Sequence, residues 1–491
     1  MAGIIAVVLG LLFQAQMIQA QTYSLSSAWS VANGTANLAT GDRNRGMAYD
    51  SVNNQVFVAA RTGGGTGFID VFNGTSGALL SGAGGIAGAN LGIDQVGVGD
   101  DGILYGVPLT TSLSTTTGSL KVYSWTNWAA NATPSIAYQT TSTDAAVVNL
   151  PGVTRRIGDT MAVTGSGTNT LILLGTGGAN SQGTNFVLLY SADGINFTST
   201  VVLVPTGLPA TTSGGNIYGV TFFTNNTFIV VPGPGAGSAN MSPYLIQFPV
   251  NFRSFGSVVG TVLGNVSLTS LTAGRTTHVT YAPGPKMMAL TQAATGGAGI
   301  SNTNAIYNAA GYAGSLSQLV KTNFACPNAN GNNTAGIALG GAGRTNFLYV
   351  LQCNNGLQAY AISYTAAPVP PSISSAPAGI SGAYPTYNLS VGASGTASLA
   401  YQWVASNSLS ATFTNIPGAT TNTFAISTAS TNYYRVIITN SVGAVTSSPV
   451  LVSLLTPVTS TVVTQLWRVA SGASGYSFLD NGGNKIGRAH V

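Results

Sequence analysis

The chain has 491 residues, only 5% of them charged, against about 25% in an ordinary soluble domain. All ten acidic residues are aspartate, and two histidines with two cysteines complete the stock of catalytic side chains, which argues against an enzyme. The 15 Lys/Arg behind the net charge of +5 are thinly spread, which argues against nucleic acid as a partner, and 45% apolar residues argue against disorder.

Residues 4–13 form an apolar run too short to span a bilayer, followed by Ala20 at a cleavage position. Residues 1–21 therefore read as a signal peptide, although no Lys or Arg precedes the run. No later segment reads as a transmembrane helix, so the protein is expected to be exported, either secreted or at the cell surface. In that setting Cys326 and Cys353 can form a disulfide or stay as two thiols.

Six segments then repeat one pattern: a β-rich run, a tight polar turn and a second β-rich run. They begin at Met47, Val96, Met161, Val220, Val279 and Ile337. Turn chemistry sits between the runs, for example Asn53-Asn54, Asp101-Gly102 and Gly284-Pro285. A third run follows each hairpin, starting at Gly67, Leu120, Phe186, Tyr244, Ala305 and Leu357. The spacing of roughly 50–65 residues suits units of about four strands. Residues 25–365 thus resemble a β-propeller of about six blades, with spacing like that of kelch-type and lactonase-type propellers but without their signatures. Ser191-Ala192-Asp193-Gly194-Ile195-Asn196-Phe197 is similar to the Asp-box turn of sialidase-like propellers, a structural turn. The run around Trp29 is expected to close the last blade outside residues 357–363, removing an exposed edge.

A Pro-rich linker, 366–371, leads to a second module, 372–456. Leu389-Ser390-Val391, Tyr401-Gln402-Trp403 and the run from Tyr434 to Gly443 resemble an immunoglobulin-like domain of the intermediate type. Trp403 takes the core tryptophan position and Tyr434 the tyrosine-corner position. Val391 and Val436 stand where that family has its inter-sheet cysteines. The resemblance implies a spacer or binding module of the kind bacterial surface proteins carry, and no catalysis. The fold class expected overall is all-β: a propeller plus a small immunoglobulin-like sandwich.

Trp467-Arg468-Val469-Ala470 repeats Trp29-Ser30-Val31-Ala32, so residues 457–485 read as a linker and the start of a second propeller. Residues 486–491 resemble a translated sequencing adapter. On that reading the tail is non-native, His490 is foreign and the sequence is a fragment of a longer protein.

In a propeller, residues just before the first strand of each unit converge on the axis. Here they include Arg43, Arg45, Asp94, Arg155, Arg156, Asp159, Asn216, Arg275 and His278. Guanidinium groups offer planar, multidentate donors to carboxylate, sulfate or sugar hydroxyls, so this ring is the candidate ligand site. The same groups can instead pair with each other, Arg156 with Asp159 for example. Asp100-Asp101-Gly102 reads as a turn rather than a calcium loop, and His278 lacks companions for zinc or a triad; no cofactor is expected. Tyr123, Trp125, Trp128 and Tyr138 read either as a sugar-stacking strip or as packing between blades.

Two functions follow. The first is a non-catalytic, exported protein for adhesion or for binding a glycan or extracellular protein through the propeller face. The alternative is a carbohydrate-active enzyme using Asp94 and Asp159, which requires the carboxylates about 5–10 Å apart with one held protonated.

Overall fold

The computed structural model describes residues 22–456 apart from 62–65, 87–91, 112, 114–117, 127–131, 149–155, 178–184, 209–216, 233–242, 267, 269–275, 294–299, 311, 313–315, 331–333, 345 and 384–385; beyond 456 it describes 468–472, 475–479 and 485–489. The chain divides into two compact units, one of them Gln21–Thr365 and the other taking in Ala366–Val491.

The first unit opens with β1 (Thr22–Val31), followed by blade 1: β2 (Asn44–Asp50), β3 (Gln55–Arg61), β4 (Gly67–Asn73) and β5 (Leu79–Ile86). Blade 2 holds β6 (Ile93–Val98), β7 (Leu104–Pro108), β8 (Lys121–Trp125) and β9 (Ser135–Gln139). Blade 3 holds β10 (Arg156–Thr164), β11 (Leu171–Gly177), β12 (Asn185–Ser191) and β13 (Phe197–Leu203). Next come β14 (Ile217–Thr224), β15 (Thr227–Pro232) and β16 (Tyr244–Gln247), then β17 (Ser257–Val259) and β18 (Thr261–Asn265). Blade 4 takes β18 as its outer strand, while β17 pairs parallel with β13 at the rim of blade 3. Blade 5 holds β19 (Thr276–Ala282), β20 (Met287–Ala293), β21 (Ile300–Asn308) and β22 (Ser317–Cys326). Blade 6 holds β23 (Ala335–Gly340), β24 (Phe347–Gln352) and β25 (Gly356–Thr365), and β1 completes it.

Each innermost strand packs on the next: β2 on β6, then β10, β14, β19 and β23, and β23 packs back on β2. The sheets thereby close into a six-bladed β-propeller. The last blade is sealed by pairing of β1 with β25, Trp29 opposite Ala359 and Val31 opposite Leu357. Joining the two ends of the unit in one sheet leaves no unpaired edge between β25 and solvent.

The apolar runs fit this arrangement because both faces of every blade are covered. In β11, Leu171 and Leu173 enter the core shared with blade 4, while Ile172 and Leu174 enter the core shared with blade 2. Likewise Phe228 and Val230 of β15 face blade 3, and Ile229 and Val231 face blade 5. Period-two side chains therefore feed two different cores, so the strand reads as continuously hydrophobic. Six such layers hold the ring, and each fully buried Val, Leu, Ile or Phe contributes about 1.5–3 kcal/mol.

The second unit contains a small β-sandwich: β26 (Ser372–Ser375), β27 (Ile380–Ala383), β28 (Tyr387–Ser390), β29 (Gly392–Ser394), β30 (Ala400–Ser406), β31 (Thr414–Asn415), β32 (Thr423–Ile426), β33 (Ser430–Thr439), β34 (Ala444–Thr446) and β35 (Val450–Leu455). One sheet runs β27-β35-β33-β30-β31 with β34 beside β33, and β27 pairs parallel with β35. The pairs β28–β32 and β26–β29 make up the rest. Trp403 is fully buried, packed in a core that includes Val391, Val436 and Tyr434. Its indole Nε1 donates to the Thr421 carbonyl at 2.9 Å. A separate three-stranded sheet contains β36 (Arg468–Gly472), β37 (Gly475–Leu479) and β38 (Lys485–Ala489), so residues 486–489 of the tail lie in a strand paired with β37.

Candidate functional site

Where the inner strands of blades 1–3 begin, the ladders slip. The register shifts between Asn44 and Met47 in β2, Ile93 and Gln95 in β6, and Ile157 and Met161 in β10. A bulge bends its strand and re-aims a side chain. Each of these irregularities carries a charged residue, respectively Arg45, Asp94 and Asp159. Since the three strands are neighbours in the ring, the bulges gather the charges into one cluster. Gly46 lets β2 and β6 approach there, because a Cβ on it would lie 2.7 Å from the Gln95 Cα.

The cluster is buried. Arg45 Nε lies 3.3 Å from Asp94 Oδ1, with the two side chains 4% and 0% exposed. Neither Asp94 oxygen nor Arg45 Nε makes a hydrogen bond. Burial pushes the Asp94 carboxyl up to about 7; the Arg45 guanidinium opposes this and the Asp159 carboxylate adds to it. Arg156 grips Asp159 with two bonds, Nε to Oδ2 at 2.5 Å and Nη2 to Oδ1 at 2.6 Å. Arg61, at the end of β3, joins the group: burial lowers its pKa, and the Arg45 and Arg156 charges lower it further against Asp94. Hairpin register carries this signal in the sequence, since Ala60 pairs with Asn44 and Arg61 N–H donates to the Arg43 carbonyl.

The remaining predicted residues fall in different places. Arg43 is exposed just before β2. Arg155, Asn216 and Arg275 lie outside the described residues. His278 is the third residue of β19, buried, and its Nε2 accepts the Ala335 N–H at 3.1 Å, which fixes the Nδ1–H tautomer. Among the described members, Arg45 pairs with Asp94 and Arg156 with Asp159.

Of the two states open to Cys326 and Cys353, a disulfide or two thiols, the structure has two buried thiols. Cys326 ends the outer strand of blade 5, where its Sγ accepts from Asn302 Nδ2 at 3.3 Å. Cys353 follows β24 in blade 6, among Thr334, Asp42 and Arg45, and burial pushes its thiol up to about 11. Tyr123 and Trp125 fill the core between blades 1 and 2, and Tyr138 that between blades 2 and 3, so these three are packing residues; Trp128 lies outside the described residues. In the Asp100-Asp101-Gly102 turn, Gly102 holds φ +81°, and the two carboxylates accept the Gly165 and Gly167 N–H groups at 2.9 and 3.0 Å. The Asp193 carboxylate likewise caps its own turn, and the bonds from Asn196 and Ile195 pull its pKa down to about 2.

Along the axis lies a cavity of about 860 Å³ lined by all six inner strands. Its lining combines hydroxyls and carboxamides, including Thr160, Thr221, Thr280 and Asn225, with the rings of Phe223, Tyr281 and Phe347. The Phe223 and Tyr281 rings stand 4.6 Å apart. Asp100 and Arg344 face each other at the hairpin end, 3.5 Å apart, with side chains 55% and 32% exposed. Arg344 is held at φ +58°, in the left-handed region that costs a non-glycine residue about 1 kcal/mol or more. Asp94 and Asp159 are not among the described residues that line this cavity.

Residues 369–456 match a family model described as a domain of unknown function, DUF8696. No curated protein matches the chain. Among solved structures the chain is similar to the lectin of Aleuria aurantia, described as a six-bladed propeller with a novel fucose recognition mode. That match has 12% identity and a TM-score of 0.41, covering 66% of this chain and 95% of the lectin. An α-L-arabinofuranosidase from Fusarium graminearum matches at 11% identity and TM-score 0.41, over 69% of this chain and 98% of its own. The Malassezia sympodialis allergen Mala s 1 matches at 13% identity and TM-score 0.38, over 65% and 92%.

Proposed function

We propose that this is an exported, non-catalytic binding protein whose propeller captures a hydroxyl-rich ligand, a glycan, along its axis. The axial cavity carries the reading. Its volume lies in the range of small-molecule sites, and its lining mixes aromatic faces with short polar groups. Sugars present apolar C–H faces to rings and hydroxyls to carboxamide, carboxylate and guanidinium groups. Phe223 and Tyr281 would take the first role, Asn225, Asp100 and Arg344 the second. The module spanning 372–456, which we read as immunoglobulin-like from Trp403 packed with Val391 and Val436, would act as a spacer or a second contact. Among the described residues no helix is long and apolar enough to cross a membrane.

Titration of the full chain with a panel of neutral glycans tests this. Wild type is expected to retain at least one class, and Phe223→Ala and Arg344→Ala each to weaken it about tenfold or more. Retention of none by folded protein, or equal retention by both variants, overturns the reading.

One observation favours hydrolysis instead. Asp94, held up to about 7, shares its surroundings with Asp159, as an acid and a base would. Its complete burial, and the grip of Arg156 on Asp159, oppose that role, since both carboxyls must reach the scissile bond. Release of reducing sugar by wild type but not by Asp159→Asn would establish catalysis.

A further inference from the structure

The cluster at the start of blades 1–3 is out of balance. Arg45, Arg61 and Arg156 supply three positive charges against the two carboxylates of Asp94 and Asp159. Both carboxylates are already engaged, Asp94 by Arg45 and Asp159 by Arg156. Arg61 is half-buried, and among the described residues its guanidinium has neither a hydrogen-bond nor an ion-pair partner.

Its position is set by backbone on two sides. Arg61 N–H donates to the Arg43 carbonyl at 3.1 Å, two residues before Arg45. On the other side its stem packs against Gly92, two residues before Asp94, so closely that a Cβ on Gly92 would lie 2.7 Å from the Arg61 Cβ. Arg61 is thus wedged between the strands that carry the first ion pair. Arg156 keeps 28% of its side chain exposed beside the group. Asp94 offsets part of the repulsion on Arg61 but is already paired with Arg45, so a further counter-charge from outside would stabilise the half-buried cation.

We propose that this end of the propeller is an oxyanion site in which Arg61 is the anchoring donor, taking a carboxylate or sulfate group, with the partly exposed Arg156 nearby. A planar guanidinium binds such a group through two parallel N–H bonds. Neither Arg61 nor Arg156 is among the described residues that line the axial cavity, so the site does not depend on neutral glycan capture there. Its ligand is either a small free anion or an acidic polysaccharide, which share this chemistry.

The full chain at low salt, titrated with inorganic sulfate, galacturonate, polygalacturonate, dextran sulfate and neutral dextran, decides the matter. The carboxylated or sulfated probes are expected to raise the melting temperature and to bind at least tenfold more tightly than dextran. Arg61→Gln is expected to weaken that binding at least tenfold while raising the melting temperature of the anion-free protein, because it relieves repulsion. Arg61→Lys should restore part of the affinity. Tighter binding of the polymer per charged group assigns the site to acidic polysaccharide; equal binding assigns it to small anions. Arg61→Gln protein that stays folded and keeps its anion affinity overturns the proposal, as does wild type that fails to distinguish these anions from dextran.

Discussion

Asp94 is fully buried, an environment that its sequence context does not reveal. Its folded pKa, raised by burial to about 7, exceeds the unfolded value near 3.9, so between these pH values the folded state holds a proton that the unfolded state has released. Stability contributed by this residue is therefore present at low pH and lost as pH rises from about 4 through 7, by an amount on the order of a few kcal/mol. Asp94→Asn stays neutral throughout and should flatten that slope; urea midpoints between pH 4.5 and 8 check it. Cys353, with its thiol pushed up to about 11, should behave as an inert buried group. Maleimide is expected to label neither cysteine until the chain unfolds, and reductant to leave the unfolding midpoint unchanged. Retarded unfolding that reductant abolishes would show a disulfide after all. Residue identity alone marked Arg45, Asp94, Arg156 and Asp159 as the notable charges, and the Arg156–Asp159 pair was legible from its spacing. The Arg45–Asp94 pair was not, because it joins two strands about fifty residues apart. Arg61 was overlooked since it ends a second strand rather than opening a first one.

Strands were legible in proportion to their burial. All six hairpins and the third strand of each blade announced themselves as apolar runs, because neighbouring blades cover both their faces. The outer strands did not: β22 alternates exposed and half-buried residues along most of its length, and β5 has Leu79 and Leu80 about half exposed. An outer strand packs on little besides its inner neighbour, so its composition drifts toward that of a loop. The exception is β1, where Trp29 gave the signal. Its Nε1 donates to the Gly74 carbonyl at 3.0 Å and its ring lies 5.8 Å from that of Tyr349, tying blade 6 to blade 1. Trp29→Ala should cost about 2 kcal/mol, read as a shift in the denaturation midpoint. Deleting residues 22–31 should expose the edge of β25 and raise light scattering at concentrations where wild type stays clear.

At the scale of the whole ring, each blade shares one core with the blade before it and another with the blade after it. Damage in one layer should therefore weaken the propeller as a unit. Phe228→Ala, between blades 3 and 4, is expected to cost about 3–5 kcal/mol. Hydrogen exchange in β7 of blade 2 should accelerate at the same denaturant concentration as exchange in β15. Persistence of β7 protection after β15 has opened would mean that the blades melt separately. The repeated hairpins and the scarcity of acid–base groups were settled in the linear chain, because turn residues and apolar periodicity act locally. The axial cavity and the buried charge cluster came only from folding. Each of them depends on which distant strands become neighbours, and no local pattern encodes that.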